Sequence, residues 1–157
     1  GDLPLTLDLY IPAPLPRIQN AIAGQKNITL SSARPSDMPR IQNSATLLYL
    51  PFSWNTPSPD IIATATPGKF TDYLASGRPM LVHAPEYAYV SRYTKEHDLG
   101  IVVDSNSVDA LATAIRSFLT DPSRGRHYVD HALKIFAVNH EATKNAAKLT
   151  ALFNLIE

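Results

Sequence analysis

The chain has 157 residues, carries 14 Lys+Arg against 14 Asp+Glu, and contains no cysteine. That length suits one domain whose core needs no staples. The lack of cysteine excludes disulfides and thiolate metal sites, and the balanced charge argues against a broad electrostatic grip on nucleic acid. No apolar run approaches the roughly 18 residues of a membrane span. Gly1-Asp2-Leu3-Pro4 lacks the basic and apolar regions of a secretory signal, so a cytoplasmic location is expected. Asn27-Ile28-Thr29 matches a glycosylation sequon, and without a secretory signal it is read as chance. The 13 prolines fall mostly before residue 86, which predicts long, stiff loops in that half.

In chain order, the apolar run from Leu5 to Ile11 is predicted to be a strand, and Pro16 to Ala23 a helix with Ile18 and Ile22 one turn apart. Ile28 to Ser32 reads as a second strand and Pro39 to Asn43 as a short helix. Thr46 to Phe52 reads as a third strand. Ser53 to Pro67, rich in Ser, Thr and Pro, shows no period and is expected to be a mobile loop. Lys69 to Ser76 follows as a helix with Phe70, Tyr73 and Leu74 on one face. Pro79 to His83 is then a strand, Tyr87 to Glu96 a helix and Gly100 to Asp104 the fifth strand. Several of these apolar runs are continuous, as in strands covered on both faces.

The remainder is helical. Asn106 or Ser107 caps a helix to Leu119 with the stripe Val108, Leu111, Ala112, Ile115, Phe118 and Leu119. Asp121-Pro122-Ser123 ends it and starts a second helix with Tyr128, Val129, Ala132, Leu133 and Phe136. Ala142, Ala146, Leu149, Leu152, Phe153 and Ile156 mark a third. Strands alternating with short helices imply an α/β fold with a mainly parallel sheet of about five strands, right-handed crossovers and C-terminal helices.

Open parallel sheets bind ligands at their strand ends. The loop after the third strand leads to Pro67-Gly68 and a helix start, whose free N–H groups and partial positive charge suit phosphate. At 100° per residue Lys69 and Asp72 lie together, away from Phe70, Tyr73 and Leu74. Lys69 there opposes the helix dipole, at a cost of roughly a few tenths of a kcal/mol that a bound anion would offset. Asp72 offers two acceptor oxygens to a ribose diol. The alternative is an ordinary surface pair at i, i+3.

The run Pro67-Gly68-Lys69-Phe70-Thr71-Asp72-Tyr73-Leu74-Ala75-Ser76-Gly77-Arg78-Pro79 resembles the P-x-K-x-x-E-Y-L-A-x-G-K-P segment of many GT-B glycosyltransferases. Leu47-Leu48-Tyr49-Leu50-Pro51 ahead of it fits the same order. So do Gly100-Ile101-Val102-Val103, Asp109 to Ile115 and Asp121-Pro122 behind it, so that the likeness runs over residues 44–137. The resemblance implies a Rossmann-like three-layer sandwich, namely the donor-binding half of a two-domain enzyme. It places nucleotide-sugar contacts at Thr64, Thr66, Pro67, Gly68, Lys69 and Asp72, with Asp72 on the ribose in place of the usual Glu. Thr64 stands where many members have a sugar-binding Glu. Pro67 has no N–H to offer.

The resemblance further implies a nucleotide diphosphate sugar as donor substrate, no cofactor, no catalytic residue within this half, and a separate N-terminal GT-B domain. That other half would supply the acceptor site and any peripheral membrane contact. The first strand of the donor domain has no counterpart here. Removing it from the order 3-2-1-4-5-6 leaves a flavodoxin-like 2-1-3-4-5, so either closure to that order or strand exchange between copies is expected. A non-enzymatic flavodoxin-like module and a fragment of a GT-B-fold epimerase are the other readings. Asp8 is the only carboxylate in the first strand, so the acidic cluster of a receiver module is missing.

His127 and His131 stand at i, i+4 as a potential metal pair, but Tyr128 replaces the Glu of H-E-x-x-H and no third ligand is evident, so no metal is expected. His83 either lines the cleft or caps its strand. Trp54 either stacks on a ligand or anchors its loop. Tyr87, Tyr89 and Tyr93 are read as packing residues and Arg34 as a weak nucleobase candidate. The apolar stripe of the last helix would promote contact with a partner domain or self-association if exposed.

Overall fold

The computed structural model describes residues 4–13 and 15–153. The chain divides into two compact units, one up to Ile41 and the other from Gln42.

In the first unit, β1 (Leu7–Tyr10), α1 (Pro16–Ile22) and β2 (Ile28–Ser31) form a parallel βαβ unit, with Leu7 opposite Ile28 and Tyr10 opposite Ser31. Pro16 opens α1, where its missing N–H costs nothing. Gly24, at φ 82°, turns the chain away after it. Leu7, Leu9, Ile28 and Leu30 are half-buried, while Asp8 and Thr29 are exposed on the opposite face. There the Thr29 hydroxyl donates to the Asp8 carboxylate. Polar residues at alternate positions make this a one-faced sheet. The unit ends in a 3₁₀ turn (Pro35–Asp37) leading to α2 (Met38–Ser44). Arg34 is paired to Asp37 at 3.1 Å and exposed.

The second unit is built on β3 (Leu48–Pro51), β4 (Met80–His83) and β5 (Ile101–Val103), all parallel, in the order β3-β4-β5. Met80, Leu81 and Val82 of the central strand are all at most 1% exposed, so the continuous apolar pattern does mark a strand covered on both faces. Around it lie α3 (Pro59–Thr64), α4 (Gly68–Ala75), α5 (Tyr89–Glu96), α6 (Val108–Thr120) and α7 (Ser123–Ile135). A π-helical turn (Phe136–His140) and α8 (Ala142–Phe153) follow. Leu50, Phe70, Leu74, Met80, Val82, Val90, Leu99 and Ala132 form the core that joins α4, α5 and α7 to the strands.

This is a Rossmann-like α/β fold with five parallel strands, as read from the sequence. The strands stand in two sheets rather than one. Among the described residues no ladder joins β1 to β3, so the closed order 2-1-3-4-5 does not form.

Two local expectations also change, and the exposure left open for the last helix is decided. The loop from Ser53 to Pro67 contains α3, started by Pro59 in its first turn with Asp60 behind it. Its Ile62 packs against the core, and Arg92 donates to the Ala63 carbonyl at 3.1 Å. One and a half turns hold too few apolar residues to show a period. The apolar stripe of α6 starts later than expected, because Val108 is 83% exposed. Ser107 is its cap, accepting from the Ala110 N–H at 3.2 Å. The last helix buries nothing: Leu149, Leu152 and Phe153 are all more than half exposed, and Ile156 lies outside the described residues.

The tyrosines of α5 pack as expected. Tyr89 stacks on Tyr93 at 5.4 Å, and Tyr93 meets Phe70 edge-on at 6.0 Å, whereas Tyr87 is exposed. Tyr93 Oη accepts from Asn139 Nδ2 at 3.2 Å and lies 3.3 Å from His140 Nε2. Burial, and then the neighbouring His97, hold the His140 imidazole below the usual histidine range. The folded state thus binds this proton less readily than the unfolded chain, so stability falls as pH drops below the unfolded value of about 6.5. Urea midpoints should be lower at about pH 5.5 than at about pH 7.5, and His140→Gln should shrink the difference. An unchanged pH dependence in that variant would rule out His140 as its source.

Candidate functional site

The residues singled out around Pro67 occupy the start of α4. Pro67 is its N-cap in extended conformation at φ −68°, ψ 145°, and its carbonyl accepts the Phe70 N–H at 2.8 Å. The N–H groups of Gly68 and Lys69 have no partner among the described residues, as a helix start requires. In a β-α-β crossover between parallel strands the helix runs back against the strands, so its N-terminus lies at the carboxyl ends of the sheet. β3 ends at Pro51 before this helix and β4 starts at Met80 after it.

Phe70 and Leu74 are 0% and 1% exposed and pin the inner face of α4, and Tyr73 packs beside them. Lys69 and Asp72 are consequently turned outward and are exposed. They do not pair: neither side chain makes a hydrogen bond or ion pair among the described residues. The surface i, i+3 pair that the spacing allowed is therefore not formed. Asp72 is felt electrostatically by its neighbour: burial first, and then the Asp72 charge, push the Tyr73 phenol above its usual range.

The other predicted residues divide by what they do. The Thr64 hydroxyl ends α3 and donates back to the Asp60 carbonyl at 2.8 Å. Thr66 is exposed and makes no hydrogen bond among the described residues, and Pro67 is half-buried. A Cβ on Gly68 would meet nothing within 4 Å. The second half of the Pro67 to Pro79 run is punctuation. Ser76 caps α4 by donating to Tyr73 O at 2.7 Å and accepts the Arg78 N–H at 3.1 Å. Gly77 takes φ 69°, the left-handed turn that lets the chain reverse into β4. Asn43 Nδ2 donates to the Ser76 carbonyl at 2.9 Å and Arg78 to the Asn43 carbonyl, fastening this turn.

His83, at the carboxyl end of β4, is engaged through both ring nitrogens. A carbonyl only accepts, so Nε2 donates to Ser105 O at 3.1 Å, which leaves Nδ1 of the neutral ring to accept from Tyr49 Oη at 2.9 Å. Trp54 lies against the same ring at 5.3 Å, so it anchors the loop after β3. His83 therefore acts first as a brace between β3, β4 and the loop after β5. Two concavities of this unit, of about 170 and 550 Å³, are lined by β5, α6 and α7, and neither includes Lys69 or Asp72.

The third member of one cluster escaped sequence reasoning. His127 and His131 of α7 converge on Asp98, in the turn between α5 and β5. Asp98 is 29 residues from the nearer histidine, and no spacing rule signals it.

No family model matches the chain, and no curated protein matches it in sequence. In fold it is similar to the crystal structure of WaaG, described as a glycosyltransferase involved in lipopolysaccharide biosynthesis. The TM-score is 0.64 at 15% identity, with 86% of this chain covered but only 34% of that one. The chain thus has a glycosyltransferase-like fold and spans about a third of the length of that relative.

Proposed function

We propose that this chain is the donor nucleotide-sugar-binding part of a glycosyltransferase. The observation that carries the reading is the start of α4, where two free backbone N–H groups, unpaired Lys69 and unpaired Asp72 face outward together in a glycosyltransferase-like fold. The N–H groups and Lys69 would hold the diphosphate, and Asp72 would accept from the ribose hydroxyls. Charge develops on the diphosphate as the sugar–phosphate bond breaks, so donors fixed on a helix end stabilise the transition state more than the ground state. Thr64 and Thr66 would contribute sugar contacts at the mouth. In this reading a second domain would close the site and bring the acceptor, and the exposed apolar face of α8 packs on that partner.

Amide NMR titration of the chain with UDP, GDP and ADP sugars tests this. One of them should shift the amides of Gly68, Lys69 and Phe70, and Asp72→Ala should weaken that binding about tenfold or more, the effect of losing hydrogen bonds to a charged group. Gly68→Ala, whose methyl enters open space, should leave the fold intact while crowding the phosphate. Absence of shifts near α4 with all three sugars would overturn the reading.

A further inference from the structure

Asp98, His127 and His131 bring three ligand atoms within 4.8 Å of one another. The Nε2 of His127 bonds Asp98 Oδ2, and the Nδ1 of His131 stands 3.7 Å from the same oxygen. The two imidazole rings lie 4.1 Å apart, one turn along α7. Metal–ligand distances of about 2.0–2.1 Å in a tetrahedral zinc site separate neighbouring ligand atoms by roughly 3.3 Å. The three side chains thus need only small rotations to take one ion. They are half exposed, which allows such rotation and gives an ion a way in.

The backbone holds the carboxylate for this. Asp98 has φ 53°, the only positive φ at a non-glycine residue among the described residues. This left-handed turn, which Asp tolerates better than most residues, ends α5 and presents its side chain across to α7. Two imidazoles with one carboxylate suit zinc and its neighbours in the transition series rather than magnesium or calcium, which prefer all-oxygen shells. Three protein ligands leave a fourth position for water or a ligand from another molecule.

We propose that Asp98, His127 and His131 form a surface site for a divalent transition cation of the zinc class. The ion would clamp the α5–β5 turn to α7, so its binding should raise the thermal midpoint by mass action on the folded state. The site lies apart from Lys69 and Asp72 in sequence and shares no residue with the proposed donor site, so neither proposal depends on the other.

The test uses the chain without an affinity tag. Titration with Co²⁺ should develop the visible absorption of a bound ion at one equivalent, Zn²⁺ should displace it, and excess Mg²⁺ should not. His127→Gln, His131→Gln and Asp98→Asn should each weaken binding by roughly tenfold or more. Asp98→Asn is the sharpest, because Asn keeps the left-handed backbone and a hydrogen bond to His127 but is a poor ligand. His140→Gln should bind as the parent does. Zn²⁺ should raise the thermal midpoint of the parent and of His140→Gln but not of Asp98→Asn. Lack of Co²⁺ uptake by the parent, or uptake that Asp98→Asn and His131→Gln leave unchanged, would overturn the proposal.

Discussion

Gly100→Ala is expected to destabilise the protein by about 3 kcal/mol or more, at the upper end of what overpacking costs. An alanine Cβ at this position would stand 2.4 Å from the Met80 carbonyl oxygen and 3.3 Å from its carbon. Those atoms belong to the backbone at the start of β4, the strand that is buried on both faces, and they cannot rotate away as a side chain would. The constraint is one of space, since Gly100 does not occupy the left-handed region. Relief requires β5 to move off β4, which strains the ladder between Leu81 and Ile101 that follows immediately. Urea unfolding followed by circular dichroism would measure this. A variant within about 1 kcal/mol of the parent would show that the close approach is absent in solution.

Phe70→Ala is expected to cost about 3–5 kcal/mol, the range for emptying a buried aromatic position. Phe70 is fully buried, meets Tyr93 edge-on and shares a cluster with Leu74 and Ala132. Against a total stability of about 5–15 kcal/mol this is a large fraction. The effect should reach the candidate site, because Phe70 fixes the rotation of α4 that turns Lys69 and Asp72 outward. Asp72→Ala, by contrast, removes an exposed side chain without partners and should shift stability by no more than about 0.5 kcal/mol. Nucleotide-sugar binding should thus be weakened in both variants, but with loss of stability only in Phe70→Ala. A Phe70→Ala protein as stable as the parent would mean that α4 is not anchored as described.

Much of the framework was legible along the chain. Five apolar runs became five parallel strands because β-branched and leucine residues in short blocks leave few other ways to bury themselves. The helix at Gly68 was readable because Phe70, Tyr73 and Leu74 share a face at helical spacing. The same angles placed Lys69 and Asp72 on the outer side, where the structure has them. Gly77 belongs to the Pro67 to Pro79 run, but its role is a backbone turn at φ 69° rather than chemistry. α3 was missed because six residues hold no period, and the exposure of Val108 because its stripe continues one turn beyond what the sheet covers.

The sequence by itself determined the local elements other than α3, the parallel α/β class and the side of α4 on which Lys69 and Asp72 stand. These follow from periodicity and capping, which act over a few residues. The tertiary structure alone decided that the strands form two sheets and that Lys69 and Asp72 stay unpaired. It also decided that His83 braces Tyr49 and Ser105, and that Asp98 meets His127 and His131. Each of these depends on which residues distant in the chain arrive at the same place. That outcome is set by the packing of whole elements against a common core, and no local pattern encodes it.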